Sequence, residues 1–196
     1  KKKSINDLHQ VIRKKYGINN VLELSSKSGN KLSFLVSPLS LQLTDEHSGG
    51  QYSVENIFQA SKVFERGGPF TDLLDAPPRQ AKKDERLHHS GQLIGYNDSG
   101  MEWNLEPLTM FYDWLYVNAL KQNTQLHSEV MQYQAFTDIT FNPKKSIHSA
   151  AYALALFVAL NKRDLLDNIE DPIAFYDLCE GFKVSNTEHL LQSGWF

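Results

Sequence analysis

The stretch Tyr52-Ser53-Val54-Glu55-Asn56-Ile57-Phe58-Gln59-Ala60-Ser61-Lys62-Val63-Phe64 carries two patterns at once. Val54, Ile57, Phe58, Ser61 and Phe64 recur at helical spacing behind Ser53, a good N-cap residue, and Gly67-Gly68-Pro69 stops the run, which predicts an amphipathic helix. Glu55, Gln59 and Lys62 stand at i, i+4 and i+7 of that run and would line a polar stripe beside the apolar one. A carboxylate and an amine then share a face. One reading is a solvated stripe with its acid near the helix start and its base near the end, as the macrodipole favours. The other is a site in which burial and a neighbouring charge turn the Lys62 amine into a nucleophile while Glu55 handles protons, chemistry these residues can do only in a cleft. Spacing alone does not choose between them.

Upstream, Ile5, Leu8, Val11, Ile12 and Tyr16 repeat at helical spacing between Ser4 and the stop signal Gly17. Val21 to Leu24 and Lys31 to Val36 read as short strands separated by Ser28-Gly29-Asn30, the second ended by Pro38. Downstream, Pro77-Pro78 opens a helix expected to run through Arg79 to Leu87. A polar loop follows from Gly95 to Gly100, and Pro107 then opens a regular helix with Leu108, Phe111, Tyr112, Leu115 and Ala119 on its core face. A helix around His127 to Tyr133, a period-two strand from Phe136 to Phe141, and a nearly all-apolar helix from Ala150 to Leu160 complete the central part. Pro172 to Glu180 and Glu188 to Leu191 read as short tail helices. The fold class expected is α+β, a single, predominantly helical domain with a small β-sheet.

Composition supports that reading and excludes others. At 196 residues the chain is long enough for one substantial core and short for two, and 41% hydrophobic with 22% charged residues is ordinary for a folded protein. A net charge of -3 argues against non-specific coating of nucleic acid, so contact with nucleic acid should be confined to a site. Cys179 is the single cysteine, so no internal disulfide forms and a reducing cytoplasm is the expected setting. The apolar run from Ala150 to Leu160 is too short to span a bilayer, which takes about 20 residues, and no membrane role is expected. Lys1-Lys2-Lys3, with no apolar segment behind it, reads as a frayed or trimmed end rather than a secretory leader.

Other candidates each carry two readings. Arg79 and Lys82 fall at a helix start, where the dipole disfavours cations and a bound phosphate would remove the conflict; Asp84, Glu85 and plain solvation do so equally well. Asp138 sits among apolar neighbours, as the outward residue of an alternating strand or as a catalytic or ribose-binding acid. Trp114, beside Asp113, fits either base stacking or packing. His88-His89 lacks companions at ligand spacing, and adjacent helical residues point about 100° apart, so no metal or cofactor is expected. Glycine-rich dinucleotide, P-loop and Gly-x-Ser-x-Gly signatures do not occur.

Taken in order, these segments resemble the NADAR (YbiA-like) family. Tyr52 to Lys62 is similar to its Glu-His-x-Phe-Gln-Ala-x-Lys run, with Asn56 in the place of its histidine, and Pro78-Arg79-Gln80-Ala81-Lys82 is similar to its Pro-Arg-x-Ala-Lys run. Asp113-Trp114 and Asp138 resemble later landmarks, with Ile139-Thr140 where an aromatic-glycine pair often stands. Ser53-Val54-Glu55-Asn56 together with Phe70-Thr71-Asp72-Leu73 resembles the branch that accompanies DarT-type toxins, which ADP-ribosylate guanine in DNA. The resemblance implies a catalytic domain over residues 32–160, an N-terminal extension over 1–31 and a C-terminal helical extension over 161–196. It further implies an antitoxin that hydrolyses the bond between ADP-ribose and guanine. Lys62 would form a Schiff base, Glu55 and Asp138 would assist, and Ser53, Asn56, Gln59, Arg79, Lys82 and Trp114 would bind substrate. A YbiA-like N-glycosidase of small phosphoribosylamino compounds and a non-catalytic ADP-ribose reader are the alternative functions.

Overall fold

The computed structural model describes residues 2–45, 49–142, 144, 146–167 and 169–181. The opening helix α1 (Lys2–Tyr16) ends on Arg13, Lys14 and Lys15, cations that suit a helix C-terminus, and on Gly17 at φ 69°. Strand β1 (Val21–Glu23) follows. The segment expected to be a second strand is instead helix α2 (Lys31–Leu35), because the Asn30 side chain accepts from the Leu32 amide at 2.8 Å and caps it. Strands β2 (Gln42–Thr44) and β3 (Gln51–Ser53) form an antiparallel pair, and β3 runs straight into α3 (Val54–Ala60).

Helix α3 stops sooner than periodicity predicts. Ser61 is its C-cap, and Lys62 begins strand β4 (Lys62–Phe64), so Lys62 does not share the helical stripe of Glu55 and Gln59. The partner that makes 62–64 a strand is distant in sequence: β4 pairs antiparallel with β5 (Leu93–Asp98), Lys62 opposite Tyr96. Between them, the helix expected over 79–87 is two single turns, α4 (Pro78–Ala81) and α5 (Arg86–His89). Asp84 interrupts it by accepting from both the amide and the Nε of Arg86, a local bond that competes with helix continuation. The stretch expected as a polar loop is largely strand: β5 turns through Ser99 (φ 51°) and Gly100 (φ 92°) into β6 (Met101–Trp103), Asp98 opposite Met101.

The remaining elements are α6 (Met110–Gln122), α7 (His127–Val130), β7 (Ala135–Thr137), α8 (Ala150–Asn161) and α9 (Pro172–Gly181). Every residue of α6 from Met110 to Leu120 is buried, so it is a central helix and not one with a single core face. Helix α8 packs on it, and α9 adds Phe175 and Cys179 to the same core. β1 pairs in parallel with β7, Glu23 opposite Thr137, which brings the beginning of the chain beside its middle. β7 ends at Thr137 instead of running to Phe141, because Asp138 Oδ1 accepts from the Thr140 amide, the Thr140 hydroxyl and the Phe141 amide and folds the chain into a turn. The architecture is thus α+β, with helices dominant and small sheets at the margins. The helix anticipated over Glu188 to Leu191 lies outside the described residues. Among the described residues, no helix is long and apolar enough to cross a membrane.

Candidate functional site

Ser53 and Asn56 fix the start of α3. The Ser53 hydroxyl accepts from the Asn56 amide at 3.1 Å and donates to the Asn56 side-chain carbonyl, while Asn56 Nδ2 donates to Leu73 O at 2.6 Å and Ala76 O at 2.8 Å. Both side chains are buried and consumed by these bonds, so they tie α3 to the loop before α4 and do not face a ligand. Asn56→Ala would leave two carbonyls without their donor, and we expect a loss of about 2–3 kcal/mol. A fall in the urea midpoint at unchanged slope would register it.

That tether carries Lys82 back over α3, where its Nζ meets Glu55 Oε2 at 3.0 Å. Gln59 Nε2 donates to the other oxygen, Oε1, at 2.7 Å. Glu55 is only 4% exposed, so its carboxylate is a buried acceptor held from two sides. Arg79 is exposed on the same short helix as the chain approaches Lys82.

Lys62 enters from β4. Ser61 is locked by its hydroxyl bond to Ile57 O at 2.8 Å and by the Asn97 amide on its carbonyl at 2.7 Å, which sets the next residue. The Lys62 amine lies 4.8 Å from the centre of the Phe58 ring, a cation–π contact. Its pKa is lowered to about 8, with burial as the main cause; Glu55 acts against the shift and the Lys82 charge adds to it. Gly68, at φ 90°, presses its backbone on the Lys62 carbonyl so closely that a Cβ there would overlap it. Gly68→Ala is therefore expected to destabilise the fold by about 1–3 kcal/mol and to lower turnover by displacing Lys62. Wild-type midpoint and turnover in this variant would refute the packing argument.

Two further side chains meet the Phe58 ring, and nothing in the sequence marks either as part of a site. The Phe58 ring packs against Tyr112 at 5.1 Å and His148 at 4.7 Å, and Tyr112 and His148 are 5.2 Å apart. His148 is pushed down to about 4, first by burial and then by the Lys62 charge, so the ring is neutral at physiological pH. Its Nε2 is buried with no hydrogen-bond partner among the described residues. Burial raises the Tyr112 phenol well above its ordinary range, and the charges of Tyr116, Glu55, Asp113 and Asp138 add to it. Glu55 and Asp138 therefore both act on Tyr112, although they are far apart in sequence.

Trp114 is not brought to this cluster. It is buried against Trp103 and Phe111, and its indole N-H donates to Ile169 O at 2.9 Å, so it packs the core instead of offering a face to a base. Cys179 is likewise buried, its thiol pushed up to about 12 by desolvation. Among the described residues no group of three or more His, Cys, Asp or Glu could hold a metal ion.

Fold and cluster together define an α+β domain that desolvates one lysine beside a buried, doubly anchored carboxylate. The chain belongs to the DarT1-associated NADAR antitoxin family, whose sequence model matches residues 1–189. No curated protein matches it.

Proposed function

We propose that the protein is an N-glycosidase that removes ADP-ribose from guanine in DNA and so reverses the action of a DarT-type toxin in the cytoplasm. What supports this reading is membership of the DarT1-associated NADAR antitoxin family together with the packing of the Lys62 amine against the Phe58 ring, where burial lowers its pKa to about 8 and leaves roughly a tenth of it neutral at pH 7. The neutral amine attacks the anomeric carbon, the bond to the guanine nitrogen breaks, and the base leaves with a proton delivered through Glu55. Opening of the ribose ring, its oxygen taking a proton, gives a Schiff base on Lys62. Water then hydrolyses it, releasing ADP-ribose and restoring the amine. The sum is ADP-ribosyl-guanine plus water going to guanine plus ADP-ribose.

In this scheme Asp138, whose bonds within its own turn all fall on Oδ1, holds ribose hydroxyls with Oδ2. Gln59 orients Glu55. Exposed Arg79 and the Lys82 ammonium meet the diphosphate. The test is release of intact base from an oligonucleotide carrying ADP-ribosylated guanine. Tight ADP-ribose binding without release would make the protein a reader, and release only from small phosphoribosylamino compounds would move the substrate class. Because the amine is the nucleophile, turnover is expected to persist in EDTA; loss restored by a divalent ion would count against the scheme.

A further inference from the structure

Glu23 is 3% exposed and lies outside the cluster just described, yet its carboxylate grips the chain on both sides of Asp138. Oε2 accepts from the Thr137 hydroxyl at 2.6 Å, and Oε1 accepts from the Ile139 amide at 2.9 Å and the Ser25 amide at 3.2 Å. The Thr137 oxygen is in turn 3.1 Å from His9 Nε2 on α1. Backbone pairing does not reach this far: β7 ends at Thr137, and the Leu24 amide on Thr137 O, at 2.7 Å, is the last bond of the β1–β7 ladder. Beyond that bond it is the Glu23 carboxylate that holds the segment. Burying a carboxylate is costly, and an apolar or amide side chain would complete the two-stranded contact without that cost.

We infer that Glu23 is a positioning residue for Asp138, fixing the residues before and after it so that the Asp138 carboxylate keeps its place and direction. The inference rests on the role given to Asp138 above. His9 completes the grip by donating to the Thr137 oxygen, so α1 and β1 contribute to the site without touching substrate.

The experiment is a double-mutant cycle on base release, run well below the unfolding transition, with Glu23→Ala, Glu23→Gln, Asp138→Asn and the Glu23→Ala/Asp138→Asn double variant. Glu23→Ala is expected to lower kcat roughly 10- to 100-fold with little change in KM, the size of effect that a misplaced group produces. Glu23→Gln should recover part of the loss, since its amide oxygen still accepts from Ile139. In the double variant the loss should be no greater than in Asp138→Asn alone, because a residue acting through Asp138 has nothing left to position. A general loss of stability would multiply the two effects, and that result, or an unchanged kcat in Glu23→Ala, overturns the inference. Wild-type kcat in Asp138→Asn would overturn it together with the role of Asp138. A wild-type protein that releases no base refutes the proposed function, and the anchor is then read from amide exchange at Ile139. Faster exchange in Glu23→Ala, which removes the acceptor, supports the anchor, and unchanged exchange overturns it.

Discussion

Lys62→Arg is expected to abolish base release and, with it, the adduct that borohydride should trap during turnover on the wild-type protein. Reduction of the Schiff base would leave a stable secondary amine joining ADP-ribose to the Lys62 nitrogen, detectable by mass at that residue. Arginine keeps the positive charge near Glu55 and can stack on Phe58 as the lysine does, so the fold should survive, but a guanidinium is never neutral and does not attack carbon. The loss should be on the order of 10³-fold or more, about 4 kcal/mol of transition-state stabilisation, with ADP-ribose affinity changed far less. Full activity in Lys62→Arg, or an adduct mapped to another lysine such as Lys82, would remove Lys62 as the nucleophile and leave the family membership standing.

The part of this site legible in the sequence was the part encoded locally. Ser53 capping, the apolar spacing through Phe58 and the i, i+4 pair Glu55 and Gln59 belong to one short helix and were readable from it. Residue type and spacing pick out Lys62 but place it on a helix, since the strand that claims it is made by β5, about thirty residues on, and no local window contains that partner. The same cause hid β5 itself: Gly95, Asn97 and Asp98 look like loop residues until Tyr96 is seen packing on Phe58 and Phe111. The sequence marks Arg79 and Lys82 as cations at a helix start, but that Lys82 also pairs with Glu55 is not legible there, since it depends on Asn56 pinning the chain before it.

What the sequence could not offer was identity of function among like residues. Trp114 and Tyr112 sit two apart on a helix buried on all sides, and only tertiary packing decides that Trp114 bonds Ile169 while Tyr112 faces the lysine cluster. His148 stands next to Ser149, the N-cap of α8, and a histidine beside a helix cap has no pattern that marks it as a neighbour of Phe58. Ser53 and Asn56 mislead for the opposite reason: they fall inside the motif, yet their polar atoms are used up in holding it together.

The rate of base release should rise with pH and level off above about 8, because the reactive form of Lys62 is the neutral amine and its pKa has been lowered to about 8. An amine at the ordinary value of 10.5 would be neutral to only about 0.03% at pH 7, so the shift raises the reactive fraction roughly 300-fold. His148, held near 4, does not titrate in this range and should leave no limb in the profile. Two changes raise the Lys62 value together in Lys82→Met: a cation that lowers it is gone, and Glu55 loses its other ammonium partner and acts on Lys62 alone. The limb in kcat should therefore move to higher pH, with activity falling at pH 7 and approaching the wild-type plateau near pH 10. Stability must run the same way. With the folded-state pKa below the unfolded one, the unfolded chain binds more protons between about 8 and 10.5, so stability rises with pH across that window and is lowest, and level, beneath it. Lys62→Met, inactive by design, should accordingly be more stable than wild type at pH 7, with the difference shrinking as pH approaches 10.5. A kcat profile flat from pH 6 to 9, or a Lys62→Met variant less stable than wild type at pH 7, would show that Lys62 lacks the lowered pKa on which the proposed chemistry depends.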